Sequence, residues 1–598
     1  MSLDALTLEV VGSNGSSLRG EGSVLAAAGR GRAYMIWADR RRDVLNEFTL
    51  TGKLSVAASF LLDENEENNQ LEAEGVPLAK ARARLEVLEA AARGGGSVEL
   101  SQTEYERRIG KLSRDLTRAW GGSQRVTSLK IAIQCAKLLA EARVPAYYPS
   151  MFVRVADVLD TFGALVVERL THVAEAEQVR MGAPRGSRLP LDFAAGDVGA
   201  EAQETARNWI FKLSCIRELL PRLYVEISLL ECYRFLHATA DFAPIILRLS
   251  HSIRGIGNPL IAVHARWYLS RAAARLIHDS SRLRDSLTTT VTDYLYTFPD
   301  VLKAAAAAGP AMPPHAYLRL HAPAVAWVLS LVGDGAPRET FQAVLAAYKD
   351  HCGNGMVLRA ILDAFDGAHW SAHLAGVLKL AADASPGDAH LGTALPPGDA
   401  GVASLAANGA AELYRAMAGA LASSPPLVAL RIPFLNEAWR AFTRVADAPT
   451  FARHAAALID LLLAAYSARE VGLLLTDLVK RLASAGASAG ASAGASAAAA
   501  AAPVRGLGGR GGGGVTAPPA ALPHLQRILV AVTRAEAQAR AGATSGAGSE
   551  WTRVLGGEHF SRLLDMFSET ARADLCRRVL QAFVSTPDGV SDSVVINT

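Results

Sequence analysis

The residues that come nearest to a chemical motif are two overlapping copies of Gly-x-Ser-x-Gly, centred on Ser488 and Ser492. That pattern places a serine nucleophile on a sharp turn and needs a strand before it and a helix after it. Both serines lie inside an Ala-Ser-Ala-Gly tandem, where repetition alone generates the spacing, so no hydrolase is expected. The fourteen histidines include no His-Glu-x-x-His pair, and the adjacent His351 and Cys352 would point in different directions on a helix. Cys135, Cys215, Cys232, Cys352 and Cys576 are too scattered for a zinc site or a disulfide framework and read as buried free thiols in a reducing compartment. Gly255-x-Gly257 follows a helical pattern rather than a strand, which excludes a dinucleotide loop. Glu64, Glu66 and Glu67 lie in an acidic run with no apolar surroundings to shift a carboxyl group. The expectation is a non-enzyme with no catalytic residue, no cofactor and no metal.

Binding chemistry is also sparse. The tract from Arg505 to Gly514 is similar to Arg-Gly segments that bind RNA, but Arg505 and Arg510 are its only arginines and no aromatic stands between them for base stacking. Arg30, Arg32, Arg40, Arg41 and Arg42 could touch phosphates, yet Asp39 and Asp43 interrupt them, and a solvated segment is expected. With 61 basic against 58 acidic residues the net charge is +3, which excludes a strongly basic nucleic-acid binder. One segment stands out: Ile216 to Tyr224, containing Pro221-Arg222-Leu223-Tyr224. A proline after an amphipathic helix can begin the next one, since its missing N–H has no partner there anyway. Arg222 and Tyr224 would then lie in a first turn. Two readings stand: outward-facing interface anchors, or a helix turn with Leu223 and Tyr224 packed.

The elements that would carry these residues are helices. The chain has 598 residues, half of them hydrophobic, too many for one compact core. Phe152, Val155, Leu159, Phe162 and Val166 recur at spacings of three and four, as do Ala206, Trp209, Leu213, Ile216 and Leu220, and then Leu260, Val263 and Trp267. No period-two alternation bounded by hairpin turns occurs, so no sheet is expected. Amphipathic helices joined by short loops over hundreds of residues predict an all-α fold, a HEAT-like α-solenoid of antiparallel helix pairs. The expected organisation is an irregular leader over 1–100 with one helix near 79–92, and a solenoid over 101–481. A disordered Ala/Gly/Ser-rich insertion follows over 482–519, then further solenoid helices over 520–598. Smaller loops are expected at 180–200 and 383–402. Asp4 and Glu9 do not suit a signal peptide, and the most apolar stretch, 455–466, is short and contains Asp460. A soluble cytosolic protein is expected.

Pro221 to Tyr224 resembles the signature of the large α-solenoid subunits of endosomal sorting coats. Its surroundings resemble the vacuolar protein sorting 35-like subunit of Retriever more than the retromer subunit. The segments are Ala83–Glu89, Leu100–Ile109, Ser128–Leu139, Tyr148–Arg169, Asn208–Glu226, Ile253–Leu260, Leu435–Trp439 and Phe560–Phe567. The resemblance covers roughly residues 50–590 and is dense between 100 and 270. It implies a HEAT-like scaffold, cytoplasmic and peripheral on endosomes, that works in a heterotrimer with an arrestin-like 26-type subunit and a phosphoesterase-fold 29-type subunit. It also implies joining with the coiled-coil-domain proteins of the Commander assembly to recycle cargo to the cell surface, with membrane contact made indirectly through partners. By the resemblance, Pro221, Arg222, Leu223 and Tyr224 dock the arrestin-like subunit, Arg222 being the polar anchor. The family's C-terminal half, which cradles the 29-type subunit, has no counterpart here. A different HEAT-type transport adaptor and, less favoured, an RNA-associated protein acting through Arg505 and Arg510 are the alternatives.

Overall fold

The computed structural model describes residues 37–49, 54–56, 98–366 apart from a few loop positions, isolated positions between 369 and 380, 448–497 apart from 466, 521–541 and 558–584. The expected helix at 79–92, the acidic run at 61–76, the loop at 383–402, the segment Leu435–Trp439, and Arg505 and Arg510 lie outside the described residues. The chain divides into two compact units, Met1–Cys352 and Gly353–Thr598.

The first unit opens with α1 (Trp37–Glu47). A short antiparallel ribbon then pairs β1 (Leu54–Val56) with β2 (Val98–Leu100), Leu54 opposite Leu100 and Val56 opposite Val98. Stacked helices follow: α2 (Gln102–Gly121), α3 (Arg125–Leu138), α4 (Tyr148–Arg180), α5 (Ala200–Ser214), α6 (Leu219–Ser228) and α7 (Phe242–Ile253). The stack continues through α8 (Pro259–Leu276), α9 (Ser280–Tyr296), α10 (Phe298–Ala307), α11 (Pro314–Arg319), α12 (Ala322–Gly333) and α13 (Arg338–His351). Along most of the stack a helix packs on its neighbour or its next neighbour, as α2 does on α3 and α4, and α7 on α8 and α9. This is the packing of a helical solenoid, in which every unit buries its stripe against the adjacent pair. The second unit holds α14 (Gly355–Ala364), α15 (Ala448–Ala465), α16 (Ala468–Ala497), α17 (Leu522–Ala541), α18 (Glu558–Asp565) and α19 (Glu569–Val584). In it α15 packs on α16 and α17, and α17 on α19.

Local sequence accounts for the boundaries. Ser101 caps α2, its Oγ accepting from the Glu104 N–H at 3.2 Å. In α8 the Asn258-Pro259 pair combines both starting signals: Asn258 Oδ1 accepts from the Leu260 and Ile261 amides, and Pro259 occupies the first turn. The stripe Phe152, Val155, Leu159, Phe162 and Val166 is buried along α4. The second stripe divides. Ala206, Trp209 and Leu213 are buried in α5, but the helix ends at Ser214, and Ile216 and Leu220 fall in the connection and the next helix.

Three expectations need correction. Residues 37–49 are not a solvated leader: α1 packs on α4, with Val44 and Phe48 buried. With few apolar residues, α1 derives its helicity from tertiary contacts rather than propensity. The β1–β2 ribbon was missed because three-residue strands are too short to show alternation. The segment 482–497 is helical, not disordered: the Ala-Ser-Ala-Gly repeats continue α16 to Ala497. Alanine is the strongest helix former, and each Gly costs only about 1 kcal/mol once a helix is already nucleated. Ser488 and Ser492 therefore lie within a helix, not on a strand-to-helix turn.

One contact sets the spacing of α4 and α6. A Cβ on Gly163 would stand 2.1 Å from the Ser228 carbonyl oxygen, so only glycine lets these helices approach so closely. Gly163→Ala should lower stability by about 1–3 kcal/mol, since the obstacle is backbone; a drop in the melting temperature of the full chain checks this.

The candidate docking face around Arg222

The segment Pro221–Tyr224 forms the first turns of α6, with Glu218 as its N-cap residue. Pro221 sits at the third helical position, where its absent N–H would have had no intrahelical partner. The four side chains then diverge. Pro221, Leu223 and Tyr224 are buried, whereas Arg222 is half-exposed. Of the two readings, the packed turn holds for Leu223 and Tyr224, and the outward-facing Tyr224 does not. Tyr224 is fully buried, its ring 5.7 Å from Tyr268 and 6.5 Å from Phe152. Its hydroxyl faces that of Tyr148, and burial pushes its pKa far above the ordinary phenol value, the Tyr148 hydroxyl partly opposing the shift. The reason is helical geometry: positions 223 and 224 fall on the face turned to α4 and α8, and position 222 on the opposite side. The Arg222 guanidinium has no hydrogen bond or ion pair among the described residues. Nearby, Glu218 is exposed and pairs with Lys137 at 2.5 Å.

A second surface feature was not legible as a site. Where α2 ends and α3 begins, Trp120 stacks on Trp209 of α5 with centroids 6.0 Å apart. The Arg125 guanidinium lies 4.2 Å over the Trp120 ring and donates to the Trp120 carbonyl. Trp120 and Arg125, with Leu165, Glu168, Arg169 and His172 of α4 and Glu201 of α5, line a groove of about 480 Å³. Burial, and then the like charge of Arg169, lower the Arg125 pKa. Arg169 has no ionic partner among the described residues. Lys212 reaches over Trp209 at 5.2 Å, and Phe211 is 69% exposed beside it. The groove thus carries mixed charge, Arg125 and Arg169 beside Glu168 and Glu201, with the Trp120 ring under Arg125 alone. The signal in the sequence was Phe211 and Lys212 lying off the buried stripe that runs through Trp209.

Buried polar groups elsewhere are structural. His264 donates from Nδ1 to the Leu260 carbonyl at 2.9 Å, and His321 packs between Tyr294 and Tyr317. Burial lowers the pKa of His264 to about 4 and that of His321 to about 3, the latter helped by His264 and Arg266. Cys135 and Cys232 are buried, and burial pushes the Cys135 thiol up to about 12. Cys215 is exposed, unlike the buried thiol expected. Among the described residues no group of three or more His, Cys, Asp or Glu side chains could hold a metal ion, and no helix is long and apolar enough to cross a membrane.

The fold is that of a helical-repeat protein, with Arg222 half-exposed on its surface. Comparison with known proteins agrees. A family model described as VPS35L matches residues 36–311. A curated mouse relative, "VPS35 endosomal protein-sorting factor-like", is 30% identical over 94% of this chain and 51% of its own length. The zebrafish and human relatives of the same name are 28% and 29% identical over 94% and 95% of this chain. Over nearly its whole length the chain is similar to the VPS35 endosomal protein-sorting factor-like proteins, and it spans about half the length of the curated relatives it matches. A solved circular tandem repeat protein aligns at 14% identity with a TM-score of 0.19, too low to bear on the fold.

Two outcomes follow from this geometry. Tyr224→Ala should cost about 3–5 kcal/mol in denaturant unfolding, as loss of a buried aromatic does, while Arg222→Glu should leave the midpoint within about 0.5 kcal/mol. The histidines give a pH dependence. Unfolded, both rings protonate near 6.5; folded, they resist protonation down to about 4 and about 3. The stability they contribute is complete above pH 6.5 and is lost as pH falls from there towards the folded values, at up to about 1.4 kcal/mol per pH unit for each ring. Urea midpoints measured at pH 7 and pH 5 should show this loss, and His321→Phe should reduce it by about half.

Proposed function

We propose that this chain is a scaffold subunit of a retromer-like Retriever complex that returns cargo proteins from endosomes to the plasma membrane. In this reading it docks an arrestin-like 26-type subunit through the face around Arg222. The observation that carries the reading is the division of labour in Pro221–Tyr224. Three buried side chains fix the start of α6, and the fourth, a half-exposed arginine with no ionic partner among the described residues, is held at a set place on the surface. A guanidinium so placed can meet a carboxylate or backbone carbonyls of a partner at little further ordering cost. The relatives' names support endosomal protein sorting as the setting. Membership of the Commander assembly with coiled-coil-domain proteins, a 29-type partner and a peripheral place on endosomes belong to the same proposal. Membrane contact is made through the partners. The groove at Trp120 and Arg169 supplies a further docking surface on the same unit.

The deciding experiment is co-purification of the chain with its arrestin-like candidate partner, comparing wild type with Arg222→Glu. Reversal of a charge at a desolvated contact should cost about 2–5 kcal/mol, a loss of affinity of 30-fold or more. Loss of the complex with an unchanged melting curve supports the proposal; undiminished binding removes Arg222 from the interface.

A further inference from the structure

Helix α1 is held by side chains more than a hundred residues further along the chain. It contributes no repeat to the stack but lies in a seat made by α4, α8 and α12. Trp37 meets Trp267 and Trp327 edge-on, with centroids 5.6 and 6.0 Å away, and the Arg271 guanidinium covers its ring at 3.9 Å. Arg41 pairs with Asp157 at 2.8 Å. At the other end the Ser150 hydroxyl donates to the Phe48 carbonyl at 2.6 Å, and Glu47 pairs with Arg319 at 2.8 Å.

Two properties of this seat matter. First, it is built without α1. Trp267 stacks on Phe152 at 5.2 Å and lies 6.4 Å from Trp327, while Asp160 holds Arg271 and the hydroxyl of Tyr268. None of those contacts includes a residue of α1. Second, the seat recognises a helix by its charges and by its end: a carboxylate for Arg41, a guanidinium for Glu47, and a hydroxyl for carbonyls that the helix's own last turn leaves over. An eleven-residue helix is too short to be stable alone, so α1 folds where the seat receives it.

The connection is long. Beyond α1 and β1, residues 57–97 lead to β2 and α2. A chain of that length can extend on the order of 100 Å, enough to reach a neighbouring molecule. We propose that the seat on α4, α8 and α12 is a binding site for an amphipathic helix bearing a tryptophan, and that α1 of a second copy of this chain can take the place of the chain's own. The exchange makes the same contacts in either arrangement, so it costs little beyond association.

The test uses the full-length chain with a protease site introduced between residues 61 and 76 and cut only after folding. The N-terminal fragment should stay with the body on size-exclusion chromatography. A fluorescent synthetic peptide of residues 33–58, standing for the arm of a second copy, should displace it and become bound in its place. In a chain carrying Trp37→Ala the fragment should be retained at least tenfold more weakly, while the helical content of the body is unchanged. The same Trp37→Ala change in the peptide should abolish displacement. A fragment that separates from the body on the column would overturn the proposal, because the seat would then hold nothing without the covalent link. A fragment that a hundredfold excess of peptide never displaces would overturn it equally, because α1 would be a fixed part of the core.

Discussion

The first unit depends on an aromatic contact in the middle of the stack. Phe152 of α4, Tyr224 of α6, and Trp267 and Tyr268 of α8 meet with their rings between 5.2 and 6.5 Å apart. Three helices far apart in sequence therefore share one buried cluster, and each ring contributes both area and a preferred orientation. The cluster is tied to charge at its edge. Asp160 accepts from Tyr268 and pairs with Arg271, and Arg275 links it to Glu231 in the 3-10 turn Leu230–Phe235. An unpaired carboxylate so placed would be costly, and with two guanidiniums it fixes how α8 lies along α4. Gly163, open to the Ser228 carbonyl, then lets α6 come close enough for Tyr224 to reach the cluster.

That arrangement explains why a four-residue motif can be structural and exposed at once. Leu223 and Tyr224 belong to the cluster and its surroundings, and Pro221 sets the start of the helix that delivers them. Arg222 is carried along on the opposite side of the turn. The same division recurs at Trp120, whose ring is buried against Phe162 and Trp209 while its outer surface supports Arg125. In both places a packed aromatic residue determines where a guanidinium stands. In these two places, surface chemistry is thus positioned from the core outward.

The helices were legible because their stripes are long. The five apolar positions of α4 at spacings of three and four are all buried, and the Asn258-Pro259 start of α8 is visible as two adjacent letters. What escaped depended on partners distant in sequence. The tryptophan of α1 finds its place only beside residues 230 and 290 positions later, and no local pattern reports that. Composition misled at 482–497, where repetitive small residues suggested disorder, although alanine carries a helix already started by the Leu-rich first half of α16. Ile216 and Leu220 kept the helical spacing after α5 had ended, because periodicity does not register a break of four residues.

The orientation within Pro221–Tyr224 shows where such reading stops. Both an outward and an inward Tyr224 satisfy a helix that starts near Pro221, since the choice rests on which side of α6 faces α4. That side is decided by the close approach at Gly163 and by the rings of Phe152 and Tyr268, none of which is adjacent in sequence. Once those are in place, Tyr224 must turn inward and Arg222 must turn away from the core. The exposure of Arg222 is therefore a consequence of the aromatic packing, and a substitution that disturbs the cluster would move the guanidinium without touching it.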